Sequence, residues 1–87
     1  MTSKLDAYRV FNEVSRQRSF SRAAKALYMT QPAVSQAIMN LEQELGTRLF
    51  TRTSKGVALT TDGQLLYEYI SSAVNLIEMG EKKLSES

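Results

Sequence analysis

Residues 21–46 read SRAAKALYMTQPAVSQAIMNLEQELG, and the way this stretch breaks into helices decides the fold. Ser21 can cap a short helix over about 22–28, with Ala23, Ala24 and Leu27 as its buried stripe. Two adjacent alanines in so short a helix imply close approach to a neighbouring helix. Thr30 is an N-cap candidate for the next helix, over 31–45, and Pro32 in its first turn forfeits no hydrogen bond. Val34, Ile38, Leu41 and Leu45 then recur at i, i+4, i+7 and i+11, and Gly46 ends the helix. At 100° per residue these four fall within an arc of about 60° and point to a core. Pro32, Gln36, Met39, Asn40 and Gln43 occupy the opposite face, with Gln31 and Ser35 on a flank.

No charged residue lies between Lys25 and Glu42. A helix face exposed only to water is normally rich in Lys and Glu. This face instead carries amides, a hydroxyl and a thioether, which read donor and acceptor patterns without desolvating a charge. Glutamine pairs with the N6/N7 edge of adenine, and a short side chain such as Ser35 reaches a phosphate or a base. Amide-rich faces also occur on ordinary surfaces and in helix–helix contacts. The short preceding helix and brief turn favour the first reading, since they give the helix-turn-helix layout, whose second helix enters the major groove N-terminus first. The positive end of that helix, near Thr30 and Gln31, would face phosphate.

Upstream, Leu5, Tyr8, Phe11 and Val14 have helical spacing and predict a first helix near 4–17, with a Ser3–Asp6 pair resembling a capping box. Tyr8, Phe11, Phe20 and Phe50 read as core, whereas Tyr28 and Met29 fit either core or contact with sugar and thymine methyl groups. Downstream, Leu49-Phe50-Thr51-Arg52 and Val57-Ala58-Leu59 are strand-like runs around a Ser54-Lys55-Gly56 turn. Arg52 and Lys55 would make this hairpin a basic tip beside the reading helix, able to enter an adjacent A·T-rich minor groove. Charge on an exposed edge strand also serves simply to prevent mispairing. Thr60 can cap a last helix running to about Leu84, roughly 35 Å long. Along it Leu66, Ile70, Ala73, Ile77, Gly80 and Leu84 form a stripe of period 3.5, widened by Leu65, Tyr69 and Leu76. Such a stripe needs a partner, most simply a second copy of itself.

Composition sharpens the exclusions. The 87 residues, 43% hydrophobic, suffice for one lean core and rule out barrels and doubly wound sheets. Without cysteine or histidine there is no disulfide, thiolate nucleophile or usual general base, and the commonest metal ligands are missing, so neither metal nor cofactor is expected. Glu42 and Glu44 point to different helix faces, and no pocket is indicated around Asp62 and Glu68, which argues against an enzyme. The longest apolar run, Ala26–Met29, is far too short to span a bilayer, and a soluble cytoplasmic chain is expected. Residues 1–60 hold nine basic groups against four acidic ones, while residues 61–87 hold two against five. Arg16, Arg18, Arg22 and Lys25 cluster where a helix-turn-helix crosses the phosphate backbone. A polyanion-facing front (1–60) and a dimerising tail (61–87) follow.

In order and spacing, Phe20, Ala23-Ala24, Leu27, Thr30-Gln31-Pro32-Ala33-Val34-Ser35, Ile38, Leu41-Glu42, Leu45-Gly46, Leu49-Phe50-x-Arg52, Leu59-Thr60 and Gly63 resemble the LysR-type transcriptional regulators over about residues 4–85. The resemblance implies a mainly α fold: a winged helix-turn-helix of three helices plus a two-stranded β-hairpin wing, followed by a long linker helix that pairs two subunits. It implies base and phosphate contacts at Thr30, Gln31, Pro32, Ser35 and Gln36, with Arg52 in the wing. It also implies a bacterial, nucleoid-associated homodimer on palindromic promoter or operator duplexes. A small-molecule effector would act only through a C-terminal domain absent from this chain. Many family members carry basic residues where Gln36, Met39 and Asn40 stand here, which shifts phosphate binding toward Arg52, Lys55 and Arg22. The competing reading is a helical protein-interaction module that uses the heptad helix and the amide-rich face for docking.

Overall fold

The structure is a computed structural model, described here over residues 4–86. Four helices and one hairpin follow in the order α1 (Lys4–Gln17), α2 (Phe20–Leu27), α3 (Gln31–Leu45), β1 (Phe50–Thr53), β2 (Gly56–Leu59) and α4 (Thr61–Ser85). The first helix has the expected bounds; the Ser3 cap proposed for it lies outside the described residues. Helix α2 begins earlier than the Ser21 reading allows. Ser19 is its cap, accepting the Arg22 N–H at 3.1 Å, and Phe20 is already helical. The reason is tertiary: a start at Phe20 lets that ring meet Phe50 edge-on at 6.1 Å, and Phe50 in turn packs 5.4 Å from Phe11.

Ala23 and Ala24 are buried, as close helix packing requires, together with Val10, Phe11 and Val14 of α1 and Val34, Ile38 and Leu41 of α3. Leu45 does not complete the core row. It is 38% exposed: its neighbour Glu44 meets the start of α1 through the solvent-exposed Lys4–Glu44 ion pair, and that contact leaves Leu45 uncovered. Leu5, at the other margin, is also exposed. Thr30 caps α3 by accepting the Ala33 N–H at 3.2 Å, and Gly46 closes it at φ 72°, where only glycine avoids a Cβ penalty.

The hairpin pairs antiparallel in the register Phe50↔Leu59, Thr51↔Ala58, Arg52↔Val57 and Thr53↔Gly56. Leu49 is buried but precedes the strand, because its carbonyl accepts the Thr60 N–H at 3.0 Å instead of joining the ladder. Thr60 caps α4 and also donates its hydroxyl to the Arg48 carbonyl at 2.7 Å, so the foot of the wing and the start of the long helix are one knot. The far side of the wing root hangs from the α1–α2 loop, where the Val57 N–H reaches the Arg18 carbonyl at 3.3 Å.

Helix α4 gives the molecule its 45 Å long axis. Its first half packs on the body through Leu66, Tyr67 and Ile70, and Val74 is 5% exposed. The expected stripe is therefore split. Leu66 and Ile70 are partly spent within the protomer, whereas Leu65, Tyr69, Leu76, Met79 and Leu84 remain exposed. Stepping 100° per residue puts Leu65, Tyr69 and Leu76 roughly 140–180° from Val74, on the opposite side of the helix.

Candidate nucleic-acid interface

Helix α3 is held from beneath by Val34, Ile38 and Leu41, which leaves the other side to solvent. Thr30, Gln31, Pro32, Gln36, Asn40 and Gln43 are exposed, Met39 is 53% exposed, and Ser35 is half-buried on the flank nearest the wing. The uncharged face read from the sequence is thus an outer surface. The Gln36 Nε2 donates to Asn40 Oδ1 at 2.8 Å, which orders both side chains one turn apart. One Nε2 hydrogen and the Oε1 acceptor of Gln36 stay available, the donor–acceptor pair that adenine's N7/N6 edge requires. The Thr30 hydroxyl accepts one hydrogen bond in the helix cap, which leaves its hydrogen and one lone pair available. Ser21 Oγ donates to Gln31 Oε1 at 3.3 Å, joining the first turns of α2 and α3 at the mouth of the motif.

Between α3 and β1 lies a groove of about 620 Å³, lined on the helix side by Ser35, Met39 and Gln43 and on the wing side by Thr51 and Arg52. The exposed Arg52 guanidinium lies over the Phe20 ring, 5.3 Å from its centroid. Lys55 is exposed in the turn, and Arg22 is exposed on α2. Among the described residues the ion pairs are Lys4–Glu44, Arg16–Glu13 and Arg48–Glu42. Arg16 therefore has its carboxylate, while Arg18, Arg22, Lys25, Arg52 and Lys55 are exposed and form no ion pair among the described residues. At the other edge of α3 a hydrogen bond and charge from Glu44, with a smaller contribution from Tyr8, raise the pKa of Lys4 above its ordinary 10.5.

Two side chains matter more than the sequence revealed. Phe20 is both a core ring and the shelf under Arg52. Glu42, only 13% exposed, accepts the N–H groups of Leu49 and Phe50 at 2.7 and 3.3 Å on one oxygen. The available signal was its place as the first charge after the uncharged stretch, on a flank rather than the outer face. Tyr28 is 96% exposed and adopts φ 56°, so it belongs to the turn and not to the core, while Met29 packs against the core.

A family model for bacterial regulatory helix-turn-helix proteins of the lysR family matches residues 5–64. The chain belongs to the lysR family. HdfR of Salmonella typhimurium (strain LT2), an HTH-type transcriptional regulator, is 44% identical over 79 residues, which is 91% of this chain and 28% of that protein. This lysR-family chain thus spans about 28% of the length of the curated relatives it matches. Among solved structures, the BenM DBD in complex with catB site 1 DNA superimposes with a TM-score of 0.86 at 32% identity, covering 97% of this chain and 94% of that one. Vibrio fischeri DarR in complex with DNA superimposes at 0.80 with 34% identity, covering 99% of this chain and 30% of that one. The fold is the winged helix-turn-helix shared with these family members, and the relatives are named as regulators rather than enzymes.

Proposed function

We propose that this chain binds double-stranded DNA sequence-specifically as a homodimer and serves bacterial transcription control in the cytoplasm, at the nucleoid. The observation that carries the reading is the exposed, uncharged face of α3 beside a wing whose arginine has no carboxylate partner among the described residues. In this reading α3 enters the major groove, with Gln31, Pro32, Ser35, Gln36 and Asn40 toward base edges and phosphates. Arg52 enters the neighbouring minor groove, and Lys55, Arg22 and the amide end of α3 at Thr30 meet the backbone. The likeness of fold to BenM and DarR, whose structures are complexes with DNA, supports DNA binding by this chain.

Dimerisation falls to the part of α4 that the protomer leaves uncovered. Ala73, Gly80 and Leu84 of the expected stripe contribute, joined by Leu65, Tyr69 and Leu76, with Leu66, Ile70 and Ile77 bordering the seam. The helix-turn-helix body then uses residues 1–60 for DNA, and the tail from 61 onward for pairing. A two-fold dimer calls for a palindromic operator with half-sites about one turn or more apart. Because the matched relatives are far longer, a small-molecule effector is assigned to a domain outside this segment.

Titrating salt against a selected duplex, with sedimentation of the chain alone, tests the reading. Dimers whose affinity falls linearly on a logarithmic salt axis fit it. Dimers with no preferred duplex would instead favour the protein-interaction module, for which the same exposed face of α4 would serve.

A further inference from the structure

We infer that Glu42 is a positioning residue: it fixes the wing to the recognition helix so that the two read one stretch of duplex in a set relation. This rests on the DNA-binding reading and adds to it a residue outside the reading face. Glu42 sits in the last turn of α3, on the flank that turns toward β1. Its Oε2 gathers three donors: the Leu49 N–H at 2.7 Å, the Phe50 N–H at 3.3 Å and, more distantly, Arg48 Nε at 3.6 Å. Both amides belong to the root of β1: Leu49 directly precedes the strand, and Phe50 is its first residue, opposite Leu59 of β2. Backbone donors on a carboxylate are charge-assisted, and near burial strengthens them.

The consequence follows from connectivity. Arg52 lies two residues beyond Phe50 on the same strand, so the tilt of the root is the tilt of Arg52. The other restraints on the wing come from different elements: Arg18 of the α1–α2 loop, Thr60 at the base of α4 and the Phe20 ring under the guanidinium. Those fasten the wing to the body. Glu42 alone among these contacts fastens it directly to the helix that enters the major groove. Without this tie the hairpin still forms, since its ladder and the Phe50 packing do not involve Glu42, but the distance between the two reading elements is no longer fixed.

The test uses Glu42→Gln and Glu42→Ala in the whole chain, with Arg52→Ala and the Glu42→Gln/Arg52→Ala double variant. Amide exchange without DNA comes first: faster exchange at Leu49 and Phe50, with the β1–β2 ladder still protected, is expected. Unchanged exchange at both amides overturns the inference. Binding is then measured to the selected duplex and to duplexes substituted singly at core and flank positions. In the wild type, Arg52→Ala should weaken binding roughly tenfold on A·T-rich flanks. In the Glu42→Gln background the same change should cost less than about threefold, while preference at positions read by α3 survives. Multiplying penalties, or a uniform loss that tracks the folded fraction, would show a structural residue and overturn it. Glu42→Gln keeps an acceptor oxygen and carries the test should Glu42→Ala fail to fold. A wild-type chain selecting no duplex overturns the DNA reading and this inference with it, whereas a selective wild type with independent variants overturns the inference alone.

Discussion

Replacing Gly63 with alanine should destabilise the protein although it adds a better helix former to α4. Gly63 is 3.0 Å, measured from where its Cβ would stand, from both the Leu49 carbonyl carbon and Leu59 Cδ2, and the same Cβ would overlap the Leu49 carbonyl oxygen. Backbone cannot step aside as a flexible side chain does. The carbonyl must retreat by roughly 1 Å to reach ordinary C···O contact. That retreat strains the Thr60 N–H···O=C Leu49 bond of 3.0 Å at the knot of wing and helix. Overpacking costs about 1–3 kcal/mol and a weakened hydrogen bond about 1 kcal/mol more, against a helix gain of at most about 1 kcal/mol. A net loss of about 2 kcal/mol lowers Tm by roughly 10 °C in a domain of this size. Gly80→Ala in the same helix is the control, since nothing lies within 4 Å of its Cβ, and it should gain up to about 1 kcal/mol. Urea and thermal melts at two protein concentrations separate folding from association. A Gly63→Ala protein as stable as the wild type would refute the close approach of α4 to the wing root.

Other consequences are simpler to read. Tyr28, nearly fully exposed at φ 56°, has a strained backbone and little to lose, so Tyr28→Asn should raise the unfolding free energy measured in urea by about 0.5 kcal/mol and Tyr28→Val should lower it. The reverse order would mean the ring makes a stabilising contact. Leu76→Asp, on the uncovered side of α4, should leave the melting of the monomer unchanged while sedimentation shifts from dimer toward monomer. A variant that remains fully dimeric would move the seam elsewhere.

Local chemistry made much of this fold readable. Helix α1, the Thr30 and Thr60 caps and the Gly46 stop are specified by residues within a turn of one another, and their expected places match the structure; the hairpin forms where expected, but β1 starts and ends one residue later and Gly56 belongs to β2 rather than to the turn. What escaped depends on contacts between elements. Ser19 and Ser21 are equally good caps, and only the packing of Phe20 on Phe50 chooses between them. Leu45 continues the core spacing of α3 but is left exposed in its last turn, which periodicity does not register. The apolar sector of α4 is wide enough to serve two neighbours. Which part faces the protomer is settled by where α1 lies, not by the heptad. The candidate interface was legible as a face because the missing charge marked it, and Arg52 because it is the basic residue of a short strand beside that face. The grip of Glu42 on two amides seven and eight residues away across a loop left no comparable trace.

The central claim is that the polar ridge of α3 and the wing arginine read different parts of one duplex. Sequencing the duplexes retained from a random library by the wild type, Gln36→Ala and Arg52→Ala tests it most directly. The account predicts a palindromic motif in which Gln36→Ala relaxes defined core positions, by about 1–3 kcal/mol, and Arg52→Ala relaxes the A·T-rich flanks. Retained pools with no shared motif, or variants that weaken every sequence to the same degree, would contradict it.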